Sequence, residues 1–298
     1  MIGRAECLVR YGWRVTEEAF VASTPEGPIA GYVGGSGTPL VLLHGGPAIS
    51  DYMDMLGPEV DGWRAVRYQQ RGLAPSALGG PFTVERHRAD AIAVLDTLGI
   101  GEAVVLGHSW GGHLALQLGL FHPDRVAGLV IVDSFGAVGD GGVAGMGQHL
   151  IERLPPGSVA PFGEVSARLA GPDPTDADVL ASLALLWPGY FAEPAAALPF
   201  PPQMRASLAG YAGTFASVAG YLADGFGEKL REVQAPTVFV LGASSPMSVS
   251  QGQRTATLMS AAEVNVIPDA GHLLWHEQPG CVAAALARVR ERAAEGAP

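Results

Sequence analysis

The chain has 298 residues, 48% of them hydrophobic and only 16% charged, which excludes a disordered polypeptide and allows one large α/β domain with a sizeable core. A formal net charge of −11 argues against nucleic acid and against anionic membrane surfaces as partners. The two cysteines, Cys7 and Cys281, lie near opposite ends and imply neither a disulfide framework nor a metal site.

Taken in order, the first stretch predicts an antiparallel pair. A β-rich run from Trp13 to Ser23 meets a turn at Thr24-Pro25-Glu26-Gly27, and Pro28 to Val33 returns beside it. Pro39 to Leu43 is a short, wholly apolar run of the kind buried on both faces of a parallel sheet. It leads straight into His44-Gly45-Gly46-Pro47, a glycine-rich loop at a strand's C-terminal end. Trp63 to Tyr68 reads as the next strand, followed by Gln70-Arg71-Gly72. Thr83 to Leu98 has helical spacing and breaks at Gly99.

Residues 103 to 122 organise the rest. The apolar run Ala103 to Leu106 reads as a buried strand and stops at Gly107-His108-Ser109-Trp110-Gly111. A helical pattern begins at Gly112. Gly-x-Ser-x-Gly at a strand-to-helix turn is the pattern of a nucleophile elbow, with the serine hydroxyl exposed at the sheet's C-terminal edge. Glycines flank the serine because a Cβ there would crowd the turn. The backbone N–H groups of Gly46 and Trp110 are then the candidate oxyanion hole.

Val126 to Val132 is another strand and ends in Asp133. From about Phe135 to Arg231 the chain turns rich in Ala, Gly and Pro, with helical segments expected at Asp176 to Trp187 and Gln203 to Ala223. We read residues 136–232 as a mostly helical cap inserted between core segments 1–135 and 233–298. Its aromatic residues, Trp187, Tyr190 and Phe191 among them, either line a substrate pocket or form the cap's own core. The sheet resumes at Ala235 to Gly242. A helix from Gln251 to Ser260, a last strand from Glu263 to Ile267 and a closing amphipathic helix to about Ala294 complete the chain. His272, on a loop after the last strand and downstream of Ser109, is the candidate general base. Of the eight histidines, His44, His108, His113 and His276 lie near these motifs; His108 and His113 sit where structural roles are expected.

The loop His44 to Pro47, the segment Gln70-Arg71-Gly72-x-x-x-Ser76, the elbow Gly107 to Gly112 and the Gly271-His272 loop together resemble the α/β-hydrolase fold. Within it they resemble the proline iminopeptidase-like branch. The resemblance covers about two thirds of the chain and implies a mostly parallel sheet flanked by helices and a catalytic triad; no cofactor is expected, since no cofactor motif appears in the sequence. It also implies that the triad acid follows the strand resuming the sheet. Here that loop reads Gly242-Ala243-Ser244-Ser245-Pro246-Met247, without a carboxylate. Either the acid has moved to Asp133, as in some relatives of the fold, or the triad is incomplete. Asp269 is a third choice, too close to His272 along the chain.

The expected activity is that of a serine hydrolase using Ser109, His272 and Asp133 on an ester or amide of a small molecule or short peptide. His44, Gly45, Trp187, Tyr190 and Phe191 are candidate substrate contacts. The branch binds a free N-terminal amine through cap carboxylates, and Glu152, Glu164, Asp173, Asp176, Glu193 and Asp224 are available for that. Two other readings stay open: a biosynthetic cyclase, lyase or isomerase working without a full triad, and a non-catalytic binding protein. No metal cluster, phosphate-cradling loop or dinucleotide motif is present. No apolar run is long enough to span a bilayer and no signal-like start is seen, so a cytoplasmic protein is expected. The oligomeric state is not legible.

Overall fold

A computed structural model describes residues 16–295. Cys7 and the start of the expected first strand at Trp13 lie outside these residues. The described chain forms an eight-stranded sheet in the order β1-β2-β4-β3-β5-β6-β7-β8. Strands β1 (Glu17–Thr24) and β2 (Gly27–Gly35) pair antiparallel, and β2 pairs antiparallel with β4 (Trp63–Tyr68). From β4 through β3 (Thr38–Leu43), β5 (Ala103–His108), β6 (Val126–Val132), β7 (Thr237–Gly242) and β8 (Ala262–Ile267) every pairing is parallel.

The central strands are apolar throughout because both of their faces are covered. Val41, Val105, Ile131 and Phe239 point to one side, where they meet α1 (Val84–Thr97) and α2 (Trp110–Phe121) through Val94, Leu114 and Leu118. Leu42, Val104, Val130 and Val238 point to the other. There they meet α10 (Cys281–Glu295) through Leu286 and Val289, and the 3₁₀ segment Met53–Val60 through Met53 and Leu56. Period-two alternation thus feeds two separate cores. Thr83 caps α1 by accepting from the Arg86 N–H.

Between β6 and β7 the chain is helical: α3 (Val143–Glu152), α4 (Val159–Leu169), α5 (Asp176–Leu186), α6 (Leu208–Ala223) and the short α7 (Phe226–Lys229). Thr175 and Asp178 form a capping box that starts α5. The helix expected from Gln203 begins only at Leu208. Residues 205–207 instead run extended beside the loop after β3: Ser50 N–H donates to Arg205 O (3.0 Å), Ser207 N–H donates to Ala48 O (2.9 Å), and Ile49 bridges Ala206. The helix expected over Gln251 to Ser260 is α8 (Val249–Ala256); a four-residue helix, α9 (Leu274–Glu277), precedes α10.

One buried ion pair holds the turn after β4. The Arg71 guanidinium donates to both Asp90 carboxylate oxygens, at 2.6 and 2.7 Å, and its side chain is fully buried. Removing one partner of such a pair strands the other's charge. Asp90→Ala is therefore expected to lower the unfolding free energy by about 3–5 kcal/mol, read from urea denaturation.

Candidate active site

The turn between β5 and α2 holds Ser109 at φ 55°, ψ −123°, a conformation that costs a non-glycine residue energy. Neighbouring strands press on it from both sides. A Cβ on Gly107 would sit 2.0 Å from Gly111 O, and one on Gly111 would sit 2.0 Å from Leu43 O. One on Gly112 would strike Ser134 at 2.5 Å. The glycines flanking Ser109 are there because backbone occupies the space of their side chains. Ser109 N–H donates to Val132 O (2.9 Å), tying the turn to β6.

The loop after β3 is fastened by the other two motifs. Gln70 N–H donates to His44 Nε2 (3.2 Å), so the His44 proton sits on Nδ1 and is donated to Gly45 O at 2.7 Å. The Gln70 amide donates to His44 O (2.9 Å) and accepts from the Trp110 indole (2.7 Å). Gly46, at φ +120°, reaches the cavity beside Ser109.

A second chain of bonds links this loop to His272. His108 Nε2 lies 2.9 Å from His272 O, which only accepts, so Nε2 carries the proton and Nδ1 is the acceptor. The Tyr52 hydroxyl then donates to Nδ1 (2.5 Å) and accepts the Gly45 N–H (2.9 Å). Burial, and next the imidazole of His272, hold the His108 pKa well below its ordinary value, so the ring stays neutral as this chain requires.

His272 meets Asp133. Its Nδ1 lies 2.5 Å from Asp133 Oδ2, and both side chains are buried. The carboxylate can only accept here, so the proton is on Nδ1 and Nε2 is the acceptor. Asp133 also sits at positive φ, 42°. Gly242 N–H donates to its Oδ1 (3.1 Å), and the Ser245 hydroxyl donates to its Oδ2. The loop that lacks a carboxylate thus supplies a hydroxyl and an N–H to the carboxylate that stands beside it. The segment after α5 grips the His272 loop from the other side. His272 N–H donates to Tyr190 O (2.6 Å), and Glu277 accepts from Gly271 N–H (2.7 Å) and Ala192 N–H (2.8 Å). A Cβ on Gly271 would lie 2.4 Å from Tyr190 O, so glycine is required next to His272.

Ser109, His272 and Gly46 open into one cavity of about 410 Å³, a size that takes a small molecule. Trp187 and Tyr190 line it, and the Tyr190 ring stacks on His272 at 5.2 Å. Three expected substrate contacts are corrected. His44 and Gly45 are buried scaffold, consumed by the bonds above. Phe191 is 2% exposed and packs edge-on against Trp187 behind the wall. None of the six acidic residues proposed for binding an amine lines the cavity; all are exposed. His113 stacks on Trp110 beside Phe226, and burial lowers its pKa to about 3. His276 and Asp269 do not line the cavity either. No local sequence pattern assigns a role to Tyr52, Ser245 or Glu277. For Ser245 the signal was the missing carboxylate itself.

A family model described as alpha/beta hydrolase fold matches residues 38–279. A 2-hydroxymuconate semialdehyde hydrolase of Pseudomonas putida is 38% identical over 112 residues, covering 34% of this chain and 38% of that enzyme. A proline iminopeptidase of Neisseria gonorrhoeae is 39% identical over 101 residues, covering 32% of each chain. The chain therefore matches less than half the length of these curated relatives. A solved hydrolase from Pseudomonas aeruginosa superposes with a TM-score of 0.69 over 91% of this chain and 98% of its own, at 24% identity, which speaks for the fold alone.

Tyr52→Phe leaves Gly45 N–H and His108 Nδ1 without their partner. It is expected to cost about 1–3 kcal/mol for each group left unsatisfied, measured by urea denaturation. The buried histidines also set an acid limit. Burial lowers the pKa values of His44 and His108, and takes His87 and His113 to about 3. Below about pH 6.5 the unfolded chain binds protons that the native state refuses, so stability falls as pH falls, by up to about 1.4 kcal/mol per pH unit for each histidine. Urea midpoints are expected to be flat above pH 7 and to drop steadily from pH 6.5 to 4.5.

Proposed function

We propose that this chain, which belongs to the alpha/beta hydrolase fold family, is a serine hydrolase acting on an ester or related carbonyl bond of a small molecule. The observation that carries the proposal is the 2.5 Å contact between His272 and Asp133, with Ser109 and His272 opening into the same cavity.

In this reading residues 136–232 are a cap over a core formed by the rest. Asp133 fixes the tautomer of His272 and leaves Nε2 to accept the Ser109 proton. The serine oxygen bonds to the substrate carbonyl carbon as its proton passes to Nε2. The N–H groups of Gly46 and Trp110 receive the negative charge that develops on the carbonyl oxygen. Collapse of the tetrahedral intermediate expels the leaving group, which takes the proton from His272. Water then enters, and its oxygen bonds to the acyl carbon as its proton passes to Nε2. On collapse the bond to Ser109 Oγ breaks, Oγ takes that proton back and the acid is released. The strained elbow and the neutral His108 support this reading, because they pre-set the serine and the imidazole before substrate arrives. The carboxylate beside His272 favours this reading over a reaction without a full triad.

A fluorophosphonate probe is expected to add one label to the wild-type protein and none to Ser109→Ala, by intact mass. Asp133→Asn is expected to lower turnover of a p-nitrophenyl ester by about 10⁴ while leaving the fold intact by circular dichroism. Labelling that persists in Ser109→Ala would move the nucleophile elsewhere.

A further inference from the structure

The chamber above Ser109 is walled by apolar side chains. Met146, Leu183, Leu186, Trp187 and Phe215 come from the helical insertion, and Ile49 and Leu273 from the sheet side. Among its polar residues, Tyr52 and His108 are spent on each other, on Gly45 and on His272 O. Ser109 and His272 belong to the reaction. What remains for a ligand is three hydroxyls, those of Ser182, Tyr190 and Tyr211. Burial raises the pKa of both phenols, so they stay uncharged.

Charge of either sign on the insertion is turned away from the chamber. Asp176 accepts from Leu208 N–H (2.7 Å), Glu193 from Ala195 N–H (3.3 Å), and Glu152 from the Gln148 amide (2.9 Å). Glu164, Asp173 and Asp224 are exposed. Arg153 donates to Gly189 O (3.1 Å), and Arg168 pairs with Asp178 (2.6 Å). Among the described residues, no carboxylate lines the space above Ser109 to receive an ammonium, and no guanidinium or lysine lines it to receive a carboxylate. An ion entering it would give up its water and gain no counter-charge, whereas an alkyl or aryl group would gain from burial.

We propose that the substrate is an uncharged ester whose large apolar group fills this chamber, and that otherwise similar molecules ending in a free amine or a carboxylate are refused. The proposal rests on the serine-hydrolase reading for its reaction, but not for its selectivity. The chamber therefore differs from the amine-binding site implied by the aminopeptidase resemblance.

The test uses ketones, which resemble the ester and cannot be hydrolysed. Hexanophenone and its twins bearing a terminal ammonium or carboxylate are titrated into the wild-type protein by calorimetry, with fluorophosphonate labelling run alongside. The neutral ketone is expected to bind about tenfold or more tighter than either charged twin. In Ser182→Asp, which sets a carboxylate in the wall, the preference over the ammonium twin is expected to shrink or reverse. Equal or tighter binding of a charged twin to wild type, or no binding of any of the three, overturns the proposal. Selective binding without labelling would keep the chamber's selectivity and sink the serine-hydrolase reading instead.

Discussion

The contact between Asp133 and His272 is the constraint around which the molecule is arranged. The two residues leave the ends of β6 and β8, with β7 between them, and meet only because the three strands run parallel and in register. A parallel sheet brings all of its C-terminal ends to one rim, and loops from that rim converge on a ligand. The bond depends on β7 in a second way. At its end, Gly242 N–H donates to the other carboxylate oxygen, Oδ1, and the Ser245 hydroxyl shares Oδ2 with the imidazole. Three consecutive strand ends thus secure one ion, and each loses its purpose if the register slips.

The other motifs act first as packing devices. His44, Gln70 and Trp110 belong to three stretches far apart in the chain, yet Gln70 bonds to both of the others. At the elbow Gly107 faces backbone of its own turn, Gly111 faces backbone of β3 and Gly112 faces the Ser134 side chain, each too close for a Cβ. Tyr52 and His108 extend the same logic toward His272 with a run of bonds whose proton directions are all determined by one carbonyl acceptor. Such a satisfied buried network is rigid, and rigidity is what a site assembled from separate loops requires.

The helical insertion contributes walls and clamps. Its residues 205–207 run beside the loop after β3, and Tyr190 and Ala192 hold the His272 loop through backbone bonds and Glu277. Among the described residues, none of the insertion's Asp, Glu, Arg or Lys side chains lines the chamber, so its chemistry comes from what the insertion turns outward as much as from what it turns in. Held at these two internal points, the insertion sets the chamber's shape along with its polarity.

The sequence alone determined the strands, the elbow and the order of the candidate site residues, because those signals are local. An apolar run, helical spacing and a glycine on either side of a serine each act within a few residues. For the same reason the central strands and α1 fall close to their expected bounds, while α6 begins five residues late, where a long-range β-bridge between Ile49 and Ala206 outweighs helical spacing. Which carboxylate meets His272 was left open in the sequence, since Asp133 lies 139 residues away and only adjacent strand ends bring the two together. Tertiary packing likewise made His44 and Gly45 scaffold, set Phe191 behind the wall, and turned six acidic side chains to solvent. The direction a side chain takes in an irregular, glycine-rich insertion is decided by what it packs against, and no local periodicity records that.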